Sequence, residues 1–78
     1  MIEREAIRIA TAFARETFER DVRFVSAHPG RERDDDDRDR RIWNVIFRAA
    51  DRPDDDPRAE LWVIVDAESG RARHFQTL

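Results

Sequence analysis

With 78 residues the chain has room for a single domain, 1–78, and a chain this short buries only about 60% of its unfolded surface. A hydrophobic fraction of 40% supports a core, whereas the charged fraction of 42% is well above the ~25% usual in globular domains. The net charge of −3 argues against nucleic acid, which wants a basic face; the absence of cysteine excludes a disulfide frame and thiol chemistry, and the absence of lysine excludes a Schiff base or a phosphate-loop lysine.

Glu3–Arg20 has the period of an amphipathic helix. At about 100° per residue, Ala6, Ala10, Phe13, Ala14 and Thr17 fall on one side and Arg4, Glu5, Arg8, Arg15, Glu16 and Glu19 on the other. The small residues let such a helix lie close to a sheet. Its polar face mixes both signs, which does not suit a membrane-surface helix. The first twenty residues are too charged for a signal-peptide core, and no apolar run approaches the ~20 residues of a membrane span. A soluble chain is the expectation.

Asp21–Ala27 is predicted as a short strand that His28-Pro29-Gly30 terminates. The charged run that follows, about residues 30–40, is expected to be a flexible, metal-free loop. Four adjacent aspartates lack the alternate spacing and the glycine of a calcium loop, and arginines compete for them. Arg41–Ala50 predicts a strong strand, apolar on both sides. Asp51–Pro57 is a second polar loop. Ala59–Thr77 predicts two strands around Ala67-Glu68-Ser69-Gly70, with glycine where a positive φ is wanted.

This order gives an α+β domain, α-β-β-β-β: one N-terminal helix packed on a four-stranded antiparallel meander sheet. Ala6, Ile9 and Ala10, followed later by Val65, Asp66, Ala67, Ser69 and Gly70, carry a pattern that resembles PepSY-like domains. The helix-on-meander outline is also similar to cystatin-like folds. That resemblance implies a small regulatory or inhibitory module. The charged insertion between the first two strands departs from the pattern.

Chemistry-bearing constellations are sparse. His28 and His74 are the only imidazoles, and they lack metal-ligand spacing. Ser26 and Ser69 have no nucleophile-elbow context, and there is no glycine-rich phosphate cradle. A non-enzyme without cofactor or metal is expected.

The strand faces say more. If the last turn were a type I turn with a glycine bulge, Val63 would oppose Phe75. Leu61, Val63, Val65 and Phe75 would then face the helix, with Trp62, Ile64 and His74 on the other side. Ile42 and Ile46 join that outer face. One helix cannot cover both, so Ile42, Ile46, Trp62, Ile64 and His74 form a predicted binding surface for a second copy or another protein. The alternative is a cystatin-like inhibitor or small-ligand module that uses a loop end of the sheet.

Overall fold

Three alanines at i, i+4 and i+8 decide how this protein packs. In the computed structural model, which describes residues 1–53 and 55–75, Ala6, Ala10 and Ala14 are fully buried on one side of helix α1, Glu3–Phe18. Without bulk at these positions the helix backbone approaches the sheet closely. Ile9, Phe13 and Phe18 flank them and pack on the same core. The helix ends at Glu19, which takes the left-handed conformation, φ 50°, of a C-terminal stop.

The sheet contains β1 (Val22–Arg33), β2 (Asp39–Ala49), β3 (Glu60–Asp66) and β4 (Ala72–Phe75), antiparallel in the order β1-β2-β3-β4. Its helix-facing side supplies Val45, Phe47, Val63 and Val65, the largest fully buried side chains. Burying such side chains is worth about 1.5–3 kcal/mol each, and this layer is the core. Among the described residues no helix is long and apolar enough to cross a membrane.

Two expectations about the chain path are corrected. The first strand does not stop at His28-Pro29-Gly30. It runs on to Arg33, and β2 begins at Asp39, so only Asp34–Arg38 turns. Much of the presumed loop at 30–40 is therefore paired strand. Proline is compatible because β1 is an edge strand, where its missing N–H costs no ladder bond. Glycine suits the next position, because a Cβ on Gly30 would come 3.0 Å from Asn44 Nδ2. The tip is built by Asp34: its carboxylate accepts the backbone N–H of Asp36 at 2.9 Å and of Arg38 at 3.0 Å, and Arg40 Nε donates to it at 2.7 Å.

The second correction is the register of the last hairpin. Trp62 opposes Phe75, Val63 opposes His74, and Val65 opposes Ala72. Compared with the expectation, this is a slip of one residue, which exchanges the faces of β4. Asp66 is the cause. Its carboxylate caps the N–H groups of Glu68 and Ser69 at 2.8 and 2.9 Å, and Asp66 N–H bonds Arg71 O, which closes a loop of four residues rather than three. Gly70 takes the positive φ, 76°, that the sequence anticipates.

Candidate functional site

The face turned away from α1 is read from the register. Along β2 it presents Arg40, Ile42, Asn44, Ile46 and Arg48; along β3, Glu60, Trp62, Ile64 and Asp66; on β4, Arg73 and Phe75. Edge strand β1 adds Ser26, His28, Gly30 and Glu32, beyond an irregularity between Phe24 and Ser26. Ile42, Ile46, Trp62 and Ile64 thus share this face as expected.

His74 does not. It points to the helix side, where Phe18 meets its ring edge-on at 4.8 Å between centroids. Phe75 takes the place on the outer face that was expected of His74. Its ring lies 6.4 Å from that of Trp62 and is 46% exposed.

The outer face divides into two parts. Towards the Asp34 tip, Ile42 and Ile64 are only 6% and 7% exposed although no helix covers them. Charged side chains lie around and across them. Arg73 of β4 pairs with Glu32 of β1, at the far edge of the sheet. In a flat sheet these strands are about 14 Å apart, so the two long side chains must extend over β2 and β3 to meet. Arg40 pairs with Asp34 at 2.7 Å and with Asp66 at 3.4 Å, tying the two hairpin ends together. Ile42 also leans into the space above Gly30, within 3.7 Å of where a Cβ would sit. Ile42 and Ile64 are thus largely shielded within one chain, Ile64 at the floor of an open cleft of about 800 Å³ that Glu32, Arg40, Asp66 and Arg73 border.

This network sets the local electrostatics. The hydrogen bond from Arg40 and the backbone donors of Arg38 and Asp36 hold the Asp34 carboxyl below its ordinary range. Asp66 is held down by the N–H groups of Ser69 and Glu68, then by Arg40. Arg40 is in turn held more firmly protonated, chiefly by Asp34.

The other part of the face stays open. Ile46 and Trp62 are half-buried, and Phe75 stands beside Trp62 on the short edge strand. Trp62 donates its indole N–H to Glu60 Oε1 at 2.5 Å, which fixes the ring over the sheet. Arg48 opposite Glu60 and Arg73 opposite Ile64 put charge on both sides of this aromatic strip.

One polar contact was not visible in the sequence. His28 Nε2 lies 2.9 Å from Ser26 Oγ, two residues away on the exposed face of β1. The i, i+2 spacing on a strand is the signal that could have found it. Nucleophilic catalysis would need a third group to orient the ring, and the residue facing His28 on β2 is Asn44. Among the described residues no three histidine, aspartate or glutamate side chains come together as a metal site. No protein-family model, curated protein or solved structure matches this chain.

Proposed function

We propose that this protein is a non-catalytic interaction module that pairs with a second copy of itself through the open part of its outer sheet face. The observation that carries this reading is the uncovered strip of Ile46, Trp62 and Phe75 beside a region where the chain shields its own isoleucines. Aromatic side chains held rigid at the centre of a patch are common binding anchors. One surface can serve both subunits when a twofold axis passes through it.

The charges favour a second copy as the occupant. Glu60 lies on one side of Trp62 along the strand direction and Arg73 on the other. A twofold axis running across the strands at Trp62 places Glu60 of each copy near Arg73 of its partner. Arg73 already pairs with Glu32 within its own chain, so in such a dimer its guanidinium would be shared between Glu32 and the partner's Glu60, and the apolar strip supplies most of the contact.

Sedimentation equilibrium tests this. The parent protein is expected to dimerise in the micromolar range, and Trp62→Glu to yield monomers that keep the same far-UV spectrum. A parent that stays monomeric at high micromolar concentration overturns the proposal.

A further inference from the structure

The helix side of the sheet carries an unfilled place of its own. Arg31 on β1 and Arg41 on β2 are directly opposite in register. Cross-strand neighbours have Cβ atoms about 5 Å apart, and like charges in that relation destabilise a sheet. Elsewhere on the strands, Arg33, Arg40 and Arg73 are each neutralised by an acid. Arg31 and Arg41 have no ion pair among the described residues.

Both arginines are exposed, and Met1, just before the start of α1, borders their row. An open cleft of about 540 Å³ results, bordered by Met1, Arg31, Arg41, Trp43, Ala67 and Glu68. That size is within the range of small-ligand pockets. Trp43 lies two residues from Arg41 on the same face and is half-buried against Pro29 and Val65. The far wall is fixed by Ala67 N–H, which donates to Arg41 O at 2.9 Å. Two guanidiniums against the single carboxylate of Glu68 leave the cleft an excess of positive charge in a protein whose net charge is −3.

From this arrangement we infer that the cleft binds a small molecule joining an oxyanion, carboxylate or phosphate, to a flat apolar body. Each guanidinium offers a planar fork of N–H donors that matches an oxyanion bidentately. Two forks facing across one strand gap can hold the same group. The anion relieves the repulsion between them, and the indole of Trp43 offers a surface on which a ring stacks. This site is on the opposite face from the proposed dimer contact and does not depend on it.

Phenyl phosphate and benzoate are the probes, with inorganic phosphate and benzyl alcohol as the two halves offered separately. In ¹H–¹⁵N spectra of the full chain, the indole N–H signal of Trp43 is expected to move saturably with either probe, with a dissociation constant of about 1 mM or tighter, while that of Trp62 stays in place. Each half alone is expected to bind at least about tenfold more weakly. Arg31→Gln and Arg41→Gln should each weaken binding by about tenfold or more. Both should melt no lower than the parent, because each removes a like-charge contact. The inference is overturned if neither probe saturates by about 10 mM, if inorganic phosphate binds as tightly as phenyl phosphate, or if Arg41→Gln binds the probes unchanged.

Discussion

Ile64 and Trp62 stand two residues apart on the same strand and point to the same side, yet the chain treats them in opposite ways. Ile64 is 7% exposed beneath charged side chains contributed by β1, β2 and β4, and Trp62 is left at the border of an uncovered strip that ends in Phe75. A single-layer sheet with an apolar outer face has to solve this problem somehow. Here arginine and acid side chains, long enough to lie flat, act as a cover at one end. Their aliphatic stems shield isoleucine while their heads pair in water. The comparison teaches that an apolar residue on an uncovered face is not by itself a binding surface. The reach of neighbouring charged side chains decides.

Substitution at the covered position should have the largest effect. Ile64→Ala removes a buried branched side chain whose surroundings are held in place by ion pairs, so about 2–4 kcal/mol of stability should be lost. Ile46→Ala, in the open strip, should cost no more than about half as much, because its site is partly wet already. Urea denaturation of both variants at a concentration that keeps the chain monomeric compares them. Equal losses would mean that the ion-paired cover does not exclude water and that the two halves of the face are alike.

The turn that aims Asp66 at Arg40 is the next point of attack. Gly70 has φ 76°, and a β-branched residue is strained there. Gly70→Val should cost about 1–3 kcal/mol. The space itself is not limiting, since the nearest atom to a Cβ would be Ile9 Cδ1 at 3.6 Å. Gly70→Ala should therefore be the milder change. A melting temperature unchanged in Gly70→Val would show that the hairpin tolerates another loop, and the fixed placement of Asp66 would fall with it.

The sequence was informative where one physical cause acts at a time. Periodicity alone brings Ala6, Ala10 and Ala14 to the buried side of the helix, and alternation alone puts Val63 and Val65 in the core. Gly70 is legible because few other residues suit a positive φ. The extension of β1 was hidden because Pro29 and Gly30 usually end a strand; only the position at the sheet edge makes them acceptable. The register at His74 and Phe75 was hidden because one carboxylate, Asp66, enlarges the turn by capping two N–H groups. The same capping gives Asp66, Ser69 and Gly70 a structural task in the segment on which the resemblance to PepSY-like domains rests. The cover over Ile42 and Ile64 left least trace. Arginines and acids are intermingled through residues 31–41, and nothing in that order says that Glu32 meets Arg73 or that Arg40 meets Asp66.

Acid should separate the two halves most gently. Asp34 and Asp66 both have carboxyl groups held below the ordinary range in the folded chain, the first mainly by Arg40 and the second mainly by backbone N–H groups. A depressed folded value means that the folded chain binds the proton less readily than the unfolded one. The stability this confers is fully present above the unfolded value, near pH 4, and is lost as the pH falls through the lower folded values. The melting temperature should therefore be level from pH 7 to pH 5 as far as these groups decide it, and should decline below about pH 4. Arg40→Gln removes the partner that matters most to Asp34 but leaves the backbone donors of Asp66. Part of the acid decline should accordingly disappear in Arg40→Gln and part should remain, with a smaller shift at neutral pH than Gly70→Val produces, because exposed ion pairs contribute little there. The exposure of Ile64, followed by hydrogen exchange of the β3 amides, should rise in this variant while the surroundings of Trp62 stay as they are. An acid profile identical to that of the parent, with unchanged exchange at Ile64, would mean that Arg40 does not hold the cover in place.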